Sequence, residues 1–131
     1  MNHVTTGYAA LVARAEAEIV ALSVDEAIAA QSSGALLVDL RDVREVKRDG
    51  KIAGSYHAPR GMLEFWVDPD SPYHHEALSS ADSLVLYCNL GWRSALATKT
   101  LQDMGFTNVS HIDGGIAAWK AEGGPVEGEA T

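Results

Sequence analysis

The chain has 131 residues, 47% of them hydrophobic and 21% charged, with a formal net charge of −8. That length suits one domain with a real core, and the balance is that of an ordinary soluble globular protein. Eighteen acidic against ten basic residues argue against a nucleic-acid or anionic-membrane partner, but leave room for a small anionic ligand held by a local field. No run approaches the ~18 apolar residues of a membrane span, and no basic segment precedes an apolar one at the N-terminus, so the expected location is the cytoplasm. A single cysteine cannot close an intramolecular disulfide and offers no Cys-x-x-Cys pair. The histidines show no ligand spacing, so neither a metal nor another cofactor is expected.

In chain order, Tyr8, Leu11, Val12, Ala15 and Ile19 recur at helical spacing and predict an amphipathic N-terminal helix behind a frayed start. Residues 19–22 fit either the end of that helix or a short edge strand. Ser23, three residues before Glu26, is a capping-box signature for a helix running to about Gln31 and stopping by Gly34. Ala35 to Leu40 reads as a buried parallel strand. Arg41 to Asp49 reads as a solvated helical turn, closed by the Asp49-Gly50 turn signal. Residues 52–59 hold another short strand, with Gly54 permitting close backbone approach.

Gly61 to Trp66 begins a helix that residues 68–72 break. Leu63, Phe65 and Trp66 read as core or pocket wall, and His74 and His75 as solvated loop residues. Ser83 to Tyr87 is an apolar strand, followed by a helical pattern from Ser94 to Met104 with Ala97, Leu101 and Met104 on its buried stripe. Gly105 suits a left-handed helix end that folds Phe106 back onto Leu101. Residues 108–112 form the next strand, Gly114-Gly115 turns into a helix over residues 116–121, and the chain from Val126 is expected to be loose. Strands alternating with helices at this spacing imply a parallel sheet covered on both faces.

The stretch from Leu84 to Ser94 carries the chemistry. It places the lone Cys88 at the C-terminal end of a buried strand, just before a glycine-bearing loop and a helix, where open α/β sheets bind ligands. Loop amides and a helix N-terminus aimed at one point favour an anion, and here a thiolate over a thiol. A lone cysteine is more often a small buried hydrophobe, but this position favours a functional thiol. Arg93 is read as facing the anion, the alternative being an outward turn onto a carboxylate. Ser94 reads as a helix N-cap, with hydroxyl donation to the sulfur as the lesser reading. Trp92 is either a loop anchor or a rim residue. Arg60 and His57 lie near a strand end; a surface cation and a satisfied histidine outweigh a reach into the pocket, and Arg60 is kept as a candidate.

Four motifs stand in order: Asp39-Leu40-Arg41, residues 54–59 (GSYHAP), residues 88–94 (CNLGWRS) and residues 114–119 (GGIAAW). With them the chain resembles a single-domain rhodanese over roughly residues 20–126. The resemblance implies a three-layer α/β fold, a five-stranded, mainly parallel sheet flanked by helices, to which the N-terminal helix of residues 1–19 is an addition and residues 127–131 a tail. It implies transfer of sulfane sulfur through a persulfide on Cys88, with Asn89, Leu90, Gly91, Trp92, Arg93 and Ser94 as the cradle. It also implies a structural Arg41, with Glu45 as its ion-pair partner, and a core Trp119. The implied partners are a small anionic sulfur donor such as thiosulfate and an acceptor that is cyanide, a small thiol or a protein thiol. Ser55-Tyr56, Leu90 and Trp92 depart from the family's usual residues. Two other functions compete: a non-catalytic, protein-binding module, and a cysteine phosphatase, whose loop places one residue more between cysteine and arginine than the four found here.

Overall fold

The computed structural model describes residues 1–128. Its centre is a five-stranded sheet in the order β1-β6-β5-β2-β4, built from β1 (Ala21–Leu22), β2 (Leu36–Asp39), β4 (Tyr56–His57), β5 (Leu84–Tyr87) and β6 (Val109–Ile112). All four pairings are parallel, with Val38 opposite Leu86 and Leu86 opposite His111. A separate antiparallel ribbon joins β3 (Lys51–Ile52) to β7 (Val126–Glu127).

Strand side chains alternate between faces, and the core divides accordingly. Val38, Leu84 and Leu86 point into one buried cluster with Leu63, Val67, Leu78 and Leu101. Leu37, Val85 and Tyr87 point into the other, with Val24, Ile112, Ile116 and Trp119. The first face is covered by α4 (Leu63–Val67), α5 (Glu76–Ser79) and α6 (Trp92–Asp103), the second by α2 (Val24–Ser32) and α7 (Gly115–Ala121). Helix α3 (Val43–Asp49) follows β2, and α1 (Tyr8–Glu16) lies against α6, with Glu18 just beyond its end paired to Lys99 Nζ at 2.7 Å. The expected α/β architecture with its added N-terminal helix is therefore the one found.

The local signals held where they had a side-chain mechanism. Ser23 and Glu26 form the capping box, each side chain accepting from the other's amide at 3.1 and 2.9 Å. Gly105 takes φ 108°, and the Phe106 amide returns to the Leu101 carbonyl. Several expectations need correction. The Arg41–Asp49 segment is solvated and helical as expected, but runs to about two turns rather than one, because Asp42 and Glu45 form a second capping box. The chain from Val126 is paired to β3, and Pro125 accepts from the Trp119 indole at 2.9 Å, so the expected tail is anchored through Glu127; residues 129–131 lie outside the described residues. Met104 and Phe65 are exposed, and of the N-terminal stripe only Ala15 is buried. His75 is stacked on Trp66 at 3.7 Å and bonded to the Tyr56 hydroxyl, while His74 bonds Ser79; neither is merely solvated.

Candidate active site

The chain runs outward from β2 to β4, then returns to the sheet centre for β5 and proceeds to β6 on the other side. The loops after β2 and β5 therefore diverge at their C-terminal ends and open a crevice between them. Cys88 is the first residue beyond β5. Its side chain is almost wholly buried, yet it lines a cavity of about 110 Å³ with Asn89, Leu90, Trp92 and Arg93.

Gly91 sets the loop. Its φ of 108° is one that side-chain-bearing residues rarely adopt, and it turns the Gly91 amide onto Cys88 Sγ at 3.2 Å. Gly91 is also the N-cap of α6. It has no side chain to satisfy the first-turn amides, so these are not consumed by a cap. This corrects the reading of Ser94: the helix starts two residues earlier than expected, and Ser94 is inside its first turn, fully buried, with its Oγ 3.6 Å from Cys88 Sγ.

The other wall of the loop is α7. The Ile116 and Ala117 amides bond the carbonyls of Cys88 and Asn89 at 2.9 and 3.2 Å. A Cβ on Gly115 would stand 2.5 Å from the Cys88 carbonyl oxygen and 2.4 Å from that of Asn89, at a φ of +61°. The glycine pair is legible in the sequence as a turn; that it lets a helix end seat the backbone of Cys88 and Asn89 is not.

Arg93 bridges the crevice. Its guanidinium makes a two-pronged pair with Glu45 at 2.7 and 3.1 Å. That bonding holds the guanidinium more firmly protonated than usual against the opposing effect of burial, and the nearby Cys88 sulfur adds to it. Glu45 is thus the partner of Arg93, not of Arg41. Arg41 is fully buried and pairs with Asp39 at 2.9 and 2.7 Å, capping the Gly50 carbonyl at 2.6 Å. Burial would lower the Arg41 pKa, but the hydrogen bond and charge of Asp39 outweigh it. Tyr87 completes this layer: its one hydroxyl proton goes to Asp39 at 3.0 Å, and its oxygen accepts from Ser55 and the Ile52 amide. Burial, then the Asp39 charge, pushes the Tyr87 phenol up. Sequence reasoning missed this role for Tyr87, since an aromatic in an apolar run reads as hydrocarbon.

Leu90 and Trp92 stand half exposed at the cavity rim, and the Trp92 ring sits 5.0 Å from that of Tyr8 on α1. Trp92 is thus both rim and anchor. Arg60 does not line the cavity; it pairs with Glu64 at 2.7 Å, one turn along. His57 is satisfied by the Arg41 carbonyl at 2.7 Å. His111, on β6 behind Ser94, was not singled out by sequence reasoning.

The family model of the rhodanese-like domain matches residues 23–122. Rhodanese-like domain-containing protein 17 of Arabidopsis thaliana is 31% identical over 123 residues, which cover 87% of this chain and 76% of that protein. The thiosulfate sulfurtransferase GlpE of Stutzerimonas stutzeri is 30% identical over 99 residues, 73% of this chain and 80% of that one. Among solved structures, a protein of unknown function from Rhodopseudomonas palustris, described as a possible tyrosine phosphatase, superposes with a TM-score of 0.91 at 48% identity, covering 97% of this chain and 98% of that one. The polysulfide-sulfur transferase homodimer of Wolinella succinogenes gives a TM-score of 0.68 at 32% identity, covering 91% and 85%.

Proposed function

The chain belongs to the family of rhodanese-like domains, and from that premise we propose that it is a sulfurtransferase working through a persulfide on Cys88. The observation that carries this reading is the Gly91 amide directed onto Cys88 Sγ at the floor of a small cavity, beside the Arg93 guanidinium. Fixed donors of this kind favour a charged sulfur and need no rearrangement when the charge forms.

In the first half-reaction the Cys88 thiolate attacks the outer sulfur of a donor such as thiosulfate. A sulfur–sulfur bond forms to Cys88, the donor's own sulfur–sulfur bond breaks, and sulfite leaves with the electron pair. In the second, an acceptor thiolate or cyanide attacks the outer sulfur of the persulfide, and Cys88 departs as thiolate. With one cysteine in the chain, no second thiol of its own can resolve the persulfide. The acceptor is therefore external, and the half-exposed Leu90 and Trp92 suit a thiol carried on another protein. Asn89 and Leu90 shape the cavity around the donor, and Ser94 lies beneath the sulfur. A reducing cytoplasm, which keeps a free thiol available between cycles, is the compartment this chemistry suits.

The description of the Rhodopseudomonas palustris protein favours a second reading, phosphate-ester hydrolysis. Two features weigh against it. The loop holds four residues between Cys88 and Arg93, a ring too tight for a phosphoryl group, and the Arg93 fork is already closed on Glu45. Intact-mass measurement after incubation with thiosulfate or polysulfide separates the readings. A gain of one sulfur, absent in Cys88→Ala, is expected, with negligible aryl phosphate hydrolysis. No adduct from any donor would favour a non-catalytic binding module, and phosphatase turnover lost in Cys88→Ser would overturn the assignment.

A further inference from the structure

Strand β6 carries a histidine whose side chain is wholly enclosed, an expensive placement for an imidazole unless both nitrogens are accounted for. His111 Nδ1 lies 2.8 Å from Ser94 Oγ, and Ser94 Oγ lies 3.6 Å from Cys88 Sγ. On the far side, Nε2 has no hydrogen-bond partner of good geometry, but the Glu16 carboxylate of α1 stands 3.1 Å away. Four side chains from three elements and the active-site loop thus form one file: Cys88, Ser94, His111, Glu16.

The inventory of donors gives this file a direction. A bare lone pair on Nε2 would face a carboxylate, so Nε2 keeps its proton and Nδ1 is the nitrogen that gains or loses one. The Ser94 hydroxyl has one proton and three neighbours able to receive it: Nδ1, the Gly91 carbonyl at 3.3 Å and the Cys88 sulfur. With Nδ1 unprotonated, the shortest contact takes the hydroxyl proton, and Ser94 Oγ accepts from the Cys88 thiol. With Nδ1 protonated, the imidazole donates to Ser94 Oγ, and the hydroxyl proton turns to the sulfur.

We infer that Ser94, His111 and Glu16 form a buried proton relay that ionises Cys88 from behind. The thiol proton passes to Ser94 Oγ while the Ser94 proton passes to Nδ1. Cys88 becomes thiolate, His111 becomes imidazolium, and no net charge is created. Glu16 stabilises the imidazolium across 3.1 Å. The same shift reverses the hydrogen bond at Ser94, so its hydroxyl donates to the thiolate just formed. His111 and Glu16 are positioning residues, acting through Ser94. From α1 the imidazole faces Glu16 and from α6 Ser94, while its strand neighbours Ala21 on β1 and Leu86 on β5 carry no charge. The N-terminal helix, which lies outside the matched family region of residues 23–122, thereby supplies the relay's outer carboxylate.

This deepens the sulfur-transfer reading and rests on it, but its test needs no sulfur donor. Iodoacetamide alkylation of Cys88 is followed against pH in the parent, Glu16→Gln, Ser94→Ala, His111→Gln and the double variant Glu16→Gln with Ser94→Ala. At neutral pH, Ser94→Ala and His111→Gln are expected to alkylate about tenfold more slowly, with the rate curve displaced to higher pH. Glu16, half exposed on a surface helix, is replaceable without unfolding. Glu16→Gln is expected to slow alkylation in the parent and to do nothing further once Ser94 is alanine, because members of one chain are not additive. A Glu16→Gln curve matching the parent, or the same slowing in both backgrounds, would overturn the relay. A parent that forms no persulfide overturns sulfur transfer instead and leaves these rates readable.

Discussion

Arg93 has one charge and two claims on it: Glu45 across the crevice and the sulfur of Cys88. Replacing it with alanine is expected to slow alkylation of Cys88 at neutral pH, and an unchanged rate would remove it from the site. Cys88→Ala is expected to abolish sulfur uptake by intact mass yet cost less than about 2 kcal/mol in urea unfolding, because the volume lost is small. Asp39→Asn is a different case. It strips the charge partner from a guanidinium that is only 1% exposed, and denaturant unfolding is expected to show a loss of about 3–5 kcal/mol. At this scale the candidate thiol was legible because it ended an apolar run ahead of a glycine-bearing loop. Its surroundings were not. Glu45 and Arg93 are 48 positions apart, and nearness in sequence suggested Arg41, which Asp39 had already taken from two residues away.

Among the elements, those long enough to show a period were readable: β2, β5, β6, α2 and α6 all stand near their expected bounds. The two-residue strands β3 and β7 and the four-residue α5 are too short to carry one, and β7 was missed because its pairing partner lies more than 70 positions back. The start of α6 was misplaced for a physical reason. Serine is the usual cap, but here a left-handed glycine caps without a side chain and leaves amides free for the site. Two substitutions separate ordinary from site-bearing helix ends. Ser23→Ala removes a capping box and is expected to cost about 1 kcal/mol of stability with sulfur uptake intact. Gly115→Ala drives a methyl into the carbonyl oxygens of Cys88 and Asn89; it is expected to cost about 1–3 kcal/mol and to lose sulfur uptake at temperatures where the protein remains folded.

Across the molecule, α3 and α6, the helices that follow β2 and β5, are joined at their first turns by an ion pair that responds to acid. Bonding to Arg93 holds the Glu45 carboxyl below its ordinary value of 4.5, opposed by burial. The unfolded chain therefore takes up this proton at a higher pH than the folded one. The stabilisation is complete above the ordinary carboxylate range and disappears as pH falls through the lowered folded value. Between about pH 6 and about pH 3 the parent is expected to lose more stability than Glu45→Gln, by less than about 1 kcal/mol because the pair is partly solvated. Denaturant titrations of both proteins across that interval measure it. The contact of Tyr8 with Trp92 has an optical consequence. With the two rings 5.0 Å apart, light absorbed by the phenol passes to the indole, and comparison with Tyr8→Phe isolates that pair's share of the emission among three tryptophans and four tyrosines.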